Sequence, residues 1–173
     1  MENTTVVIVC NGESVLQNEN GDRIDNFDRV VRIGKYKVTG YEKYVGTRED
    51  ICIIRDWQLI DNRCSEIWSP PAILKGERLL SNRTLTTLEY NDIKSQVDVE
   101  YPTTGILAYF MVKKYLPGSK IYYTGMDFLR GGWYWDPDHS HFNFTSNHRI
   151  LHEPLKERTW MLKAYHSQKV HYV

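Results

Sequence analysis

Hydrophobic and polar positions along the 173-residue chain sort into alternating strand and helix patterns. "TVVIVC" (5–10) is an unbroken β-branched run, the pattern of a strand buried on both faces of a parallel sheet. "DRVVRI" (28–33) predicts a second strand, and the intervening "GESVLQNENGDRIDNF" is long enough for a helical crossover with a turn at Asn20-Gly21. "DICIIRD" (50–56) and "SEIWS" (65–69) predict two more strands, the latter stopped by Pro70-Pro71, which cannot continue a ladder. Residues 79–100 mix periods and predict one helix and a loop.

After Pro102 the pattern sharpens. "TTGILAYFMVKKYL" places apolar side chains at helical spacing behind Thr103-Thr104-Gly105, and Pro117-Gly118 stops it. "KIYYTGMDF" predicts a buried strand ending at Gly125. Residues 129–147 are rich in Gly, Trp, His and Asp without a period, a loop of a length that usually serves a site. "EPLKERTWMLKAYHS" predicts a helix with Pro154 near its start, and "KVHYV" a last short strand. The alternation predicts an α/β fold: one domain over 1–173, a single doubly wound, mostly parallel Rossmann-like sheet flanked by helices. Such sheets bind ligands beyond the carboxyl ends of their strands, where the strand order reverses.

Composition narrows the partners. Lys plus Arg and Asp plus Glu both number 22, so no general field draws the chain to nucleic acid, and an anion must be held by local geometry. Cys10, Cys52 and Cys64 form no CxxC pair, and Cys10 and Cys52 lie in apolar runs where a thiol acts as a small hydrophobe. That usage predicts a reducing, cytoplasmic location, with peripheral membrane attachment left open. No stretch of about 18 apolar residues predicts a transmembrane segment.

Two polar breaks carry the candidate chemistry. Gly12 allows a tight turn after the first strand, and Asn11 and Ser14 bring an amide and a hydroxyl suited to phosphate or sugar oxygens. This is neither G-x-G-x-x-G nor a P-loop, and a simple helix cap explains it as well. Thr103, Thr104 and Gly105 offer the same device at a second helix start.

Four of the six histidines, His139, His141, His148 and His152, fall within fourteen residues. With Asp136 and Asp138 they suit zinc, yet neither H-E-x-x-H nor paired cysteines accompany them, and Asp136-Pro137-Asp138 reads as a turn rather than a metal-holding pair. The alternative is acid-base catalysis. Glu153, five residues after His148, would then sit at a helix start and fix the imidazole.

Taken in order, these pieces resemble the sialyltransferase superfamily. "CNGESVL…IDNFDRVVRIGKY…TGYEKYVGTRED" resembles its large sialylmotif, and "PTTGILAYFMVKKYLPGSKIYYTGMDF" its small one. "HRILHE", from His148 to Glu153, is similar to the very small motif, and His141-Phe142 stands where the remaining motif has a His followed by aromatics. The resemblance spans the chain apart from roughly 56–100 and implies the family's variant GT-A-like fold.

It also implies a sialyltransferase-like, metal-independent, inverting glycosyltransferase with no cofactor, taking a CMP-sugar donor, usually CMP-sialic acid, and a glycan or glycolipid acceptor. Asn11, Gly12 and Ser14 would hold the CMP phosphate and ribose, and Thr103, Thr104 and Gly105 the phosphate or sugar carboxylate. Arg32 and Asp127 join the donor-binding set through the motifs that contain them. His148, supported by Glu153, would take the acceptor hydroxyl's proton, and His141 would stabilise or protonate the departing phosphate.

The chain departs from the pattern at three points. Gly34 stands where the family commonly has Asn. Leu129 replaces the first of two tyrosines that assist the leaving group in bacterial members, with Tyr134 assigned to the second. The chain is also shorter than typical members, so an acceptor lid must be reduced or come from another subunit of a homo-oligomer. A CMP-sugar or nucleotide hydrolase and a non-catalytic nucleotide-binding module are the competing readings on the same scaffold.

Overall fold

The computed structural model describes residues 4–55, 64–71, 83–137 and 152–173. Seven strands form one sheet in the order β5-β4-β3-β2-β1-β6-β7: β1 Thr5–Val9, β2 Arg29–Ile33, β3 Ile51–Ile53, β4 Glu66–Ser69, β5 Arg83–Thr84, β6 Lys120–Thr124 and β7 His171–Tyr172. Every pairing is parallel, so the sheet expected to be mostly parallel is parallel throughout its described strands.

β1 occupies the centre because its run of branched apolar residues tolerates burial on both faces. Val6 and Ile8 pack on one side with Ile106, Leu107 and Met111, while Val7 and Val9 pack on the other with Ile24, Phe27 and Val30. The chain moves outward from β1 through β2 to β5, then returns to lay β6 against the free side of β1. The order therefore reverses between β1 and β6, and the crevice of this fold opens at their carboxyl ends.

The first crossover is a short 3-10 turn, Glu13–Gln17, and helix α1, Gly21–Asp25. Asn20-Gly21 begins that helix rather than making the expected turn; Gly21 is required because a Cβ there would lie 2.1 Å from the carbonyl oxygen of Glu42, at the start of α2, Glu42–Val45. The mixed segment contains α3, Thr87–Val97, closed by a capping box in which Thr86 and Glu89 satisfy each other's backbone N–H. It also holds the unforeseen two-residue β5. Helix α4, Thr104–Tyr115, feeds β6, and α5, Pro154–His166, feeds β7, with Pro154 in the first turn. Among the described residues no helix is long and apolar enough to cross a membrane.

One expectation is overturned near β3. Cys52, in β3, and Cys64, two residues before β4, form a disulfide with Cα atoms 5.8 Å apart. The inference of a reducing compartment from unpaired thiols thus loses its premise. Cys10 alone is free, buried beside Met126; burial first, then the charge of Asp127, push its thiol far up, leaving an inert small hydrophobe.

Candidate active site

The crevice, about 270 Å³, lies where the topology requires. β1 and β6 keep together beyond their last ladder residues: the N–H of Cys10 donates to Thr124 O at 2.9 Å and that of Gly12 to Gly125 O at 2.9 Å. A Cβ on Gly12 would lie 2.6 Å from Gly125 O and 2.3 Å from Asp127 Cγ, so glycine is needed for close approach. The Gly12 N–H, expected to face a ligand, is spent on this pairing.

Asn11 braces the next strand. Its Nδ2 donates to Ile33 O at 3.1 Å and Lys35 O at 2.8 Å, which holds the turn containing Gly34. Its Oδ1 is buried with no partner among the described residues, an acceptor left open in the crevice wall.

The second wall is the amino end of α4. Thr103 caps the helix, accepting weakly from the N–H of Ile106 at 3.5 Å, and Thr104 and Gly105 supply first-turn amides that no intrahelical carbonyl can take. The cap is fixed from α5. Glu157, fully buried, accepts from the Thr103 N–H through Oε1 at 2.6 Å and from the Thr103 hydroxyl through Oε2 at 2.7 Å. Burial pushes the Glu157 carboxyl up to about 7 against the opposing pull of the Thr103 bonds and Arg55.

Two further groups stand on the backbone just before that helix. Arg55, at the end of the β3 segment, donates through Nη2 to Pro102 O at 2.7 Å, and His152 places Nδ1 2.7 Å from Tyr101 O. A carbonyl only accepts, so this nitrogen carries the proton and the lone pair belongs to Nε2, the tautomer a base requires. Both residues line the crevice, as do Lys35 and Arg130. In a chain of zero net charge, three cations in one small crevice describe a place for an anion.

The residues expected at the site divide. Asn11, Gly12, Thr103, Thr104, Gly105 and Asp127 line the crevice, so the two distant polar breaks do meet. Ser14 does not line it: its N–H donates to Asp127 Oδ2 at 2.9 Å and its hydroxyl to Asp127 Oδ1, so the two residues lock the turn against the end of β6. Arg32 is buried in the opposite layer, donating from Nε and Nη2 to Arg48 O at 3.0 and 2.8 Å, because alternation along β2 points it away from the Val31 and Ile33 face. Tyr134 is also core: its hydroxyl accepts from Lys37 N–H at 3.1 Å and donates to Lys37 O, and burial pushes it up to about 12. Glu153 lies outside the crevice, accepting from Glu100 N–H at 3.0 Å and pairing with Lys156 at 2.9 Å.

Asp138, His139, His141 and His148 lie outside the described residues. His152 and Glu157 are five positions apart, the spacing assigned above to His148 and Glu153. The chain thus contains the His-x4-Glu pattern twice, overlapping, and the second copy reaches the crevice and its helix clamp.

The comparisons agree with this geometry. The model of glycosyltransferase family 29 (sialyltransferase) matches residues 2–81. A crystal structure of a mammalian sialyltransferase covers all of this chain and 70% of its own length at 13% identity and a TM-score of 0.68. A crystal structure of a mammalian sialyltransferase in complex with Gal-beta-1-3GalNAc-ortho-nitrophenol does so over the same shares at 14% identity and the same TM-score. No curated protein matches by sequence. The fold is the sialyltransferase fold, and the family model matches the part of the chain that carries β1 to β4.

Proposed function

We propose that the chain transfers sialic acid, or a related keto-sugar acid, from a CMP-sugar to a hydroxyl of a glycan or glycolipid acceptor, with inversion and without a metal or cofactor. The observation that carries this reading is the meeting of the Asn11-Gly12 turn with the Thr103-Thr104-Gly105 helix start in one cationic crevice. The first-turn amides of α4 suit the donor phosphate. Asn11 Oδ1 suits a donor group of the nucleoside, a ribose hydroxyl or the cytosine amine.

In this reading His152 replaces His148 as the base. Its Nε2 takes the proton of the acceptor hydroxyl as that oxygen bonds to the anomeric carbon and the carbon–phosphate oxygen bond breaks, releasing CMP from the opposite face. Negative charge gathering on the phosphate meets the α4 amides and the crevice cations, a preorganised set that supplies the stabilisation a metal gives elsewhere. Asp127 holds the Ser14 turn through both of its oxygens. His141 keeps its proposed part at the departing phosphate.

The test is a binding series with CMP, UMP, GMP and AMP, then incubation with CMP-sialic acid with and without a galactose-terminated acceptor. Preference for CMP with acceptor-dependent release supports transfer. Release without acceptor indicates a hydrolase, and binding without release a non-catalytic module.

A further inference from the structure

We infer that the outward face of α5, with β7 beside its far end, docks on an anionic lipid bilayer. The docking stands apart from the transfer reading above and is tested without any measurement of activity.

The inward side of α5 is accounted for: Met161 and Ala164 pack into the core, and Glu157 is buried at the cap of α4. The outward side, ordinarily polar on such a helix, carries leucine instead. Leu155 is 69% exposed and Leu162 41%, and the rings of Tyr165 and Tyr172, both exposed, stand 5.4 Å apart at the far end. These four are all but one of the exposed large hydrophobics among the described residues, yet all fall between positions 155 and 172. Around the helix axis Leu155, Leu162 and Tyr165 share an arc of about 80° that runs for roughly 15 Å, so they form one ridge.

Charge singles out what the ridge meets. From Pro154 to Val173 the only carboxylate side chain is that of buried Glu157, while Lys156, Arg158, Lys163 and Lys169 are all exposed. Lys156 is tied to Asp98 at 3.1 Å and to Glu153 at 2.9 Å, but Arg158, Lys163 and Lys169 pair with no carboxylate among the described residues. In a chain of zero net charge this edge is positive, and the surface it complements is anionic. Arg158 falls within the apolar arc and Lys163 beside it, so leucine and cation must be satisfied together. A bilayer does this everywhere along its plane: basic side chains reach the phosphates while leucine and tyrosine enter the boundary beneath them. A protein partner would need carboxylates and apolar groups interleaved at one matching spacing. Because α5 starts two residues after His152, which lines the crevice, docking also keeps the crevice close to the lipid headgroups.

The experiment is sedimentation of the full chain with vesicles of phosphatidylcholine alone, or of phosphatidylcholine and phosphatidylserine at about three to one, in low and high salt. The wild type should bind the anionic vesicles at least about tenfold more tightly than the neutral ones, and salt should weaken that binding. Two double variants, Leu155→Ser with Leu162→Ser and Arg158→Gln with Lys163→Gln, should each weaken it about 10-fold, with thermal melts confirming the fold of these surface changes. Leu88→Ser, at a 77% exposed leucine on α3 outside the ridge, should leave it within about twofold. Absence of binding to anionic vesicles overturns the proposal, as does a loss from Leu88→Ser equal to that from the leucine pair. Unchanged binding in either double variant also overturns it; if only the leucines prove dispensable, the contact is ionic and an acidic protein takes the place of the bilayer.

Discussion

Glu157 holds Thr103 at both ends of one carboxylate, with the backbone N–H on Oε1 at 2.6 Å and the hydroxyl on Oε2 at 2.7 Å. The contact ties the first buried turn of α5 to the cap of α4, so the helix that follows His152 also sets the start of the helix whose amides face the crevice. Packing and site geometry are thereby joined through a single side chain.

That carboxylate makes stability depend on pH. Its folded-state value is raised from an ordinary 4.5 to about 7, chiefly by burial, so the folded chain holds this proton more tightly than the unfolded chain. The resulting contribution is complete below about 4.5, declines as pH rises, and is gone above about 7; the linkage places it at roughly 3 kcal/mol. Glu157→Gln keeps the shape and the Thr103 contacts without the titration. Urea unfolding across this window should show the wild type losing stability with pH and the variant nearly flat, and parallel curves would remove Glu157 as the source.

Ser14 is expected to matter for stability rather than for nucleotide affinity. Its hydroxyl and N–H both serve Asp127, which joins the turn after β1 to the end of β6. Ser14→Ala should cost about 1 kcal/mol of unfolding free energy while CMP binding stays within about twofold. Calorimetry finding a large affinity loss at unchanged stability would restore Ser14 to direct ligand contact.

How legible these features are in sequence depends on what fixes them. β1 and α4 can be read because burial on two faces, or a Thr-Thr-Gly start before a helical apolar pattern, leaves a local signature. β5 cannot, since Arg83 and Thr84 are exposed and too few to show a period. The meeting of positions 12 and 104 follows from the general rule for such sheets, but the side chains that face the gap do not. Arg32 and Tyr134 were polar residues at plausible places, and only the alternation of β2 and the fold of the 129–137 loop show that they face the core. Two overlapping His-x4-Glu patterns left the register undecided in sequence. Arg55 had no local signal at all, because the carbonyl that positions it lies 47 residues away.

His152 should separate turnover from binding. Its Nδ1 contact with Tyr101 O sets the tautomer, so His152→Ala removes the base while leaving the Asn11 turn and the α4 amides in place. Donor turnover should fall by at least about 10² with CMP affinity nearly intact. His148→Ala in the same assay distinguishes the two registers: a comparable loss there with normal turnover in His152→Ala would return the role to His148.

The cysteine pairing gives a prediction independent of any ligand. Cys52 and Cys64 are joined across a separation of 12 residues, and the Tyr36 hydroxyl lies 3.1 and 3.3 Å from the two sulfurs, so the link ties β3 to the segment entering β4, beside the turn that Asn11 braces. Cys10 is buried and silent in the folded chain, so thiols must be counted after unfolding. Denatured, unreduced protein should titrate one thiol and reduced protein three, the full cysteine count. Closing a loop of this length is worth about 2–4 kcal/mol, so reduction should lower the thermal midpoint and Cys52→Ser should reproduce the reduced value. Three reactive thiols before reduction would show that the two strands pack without the bond.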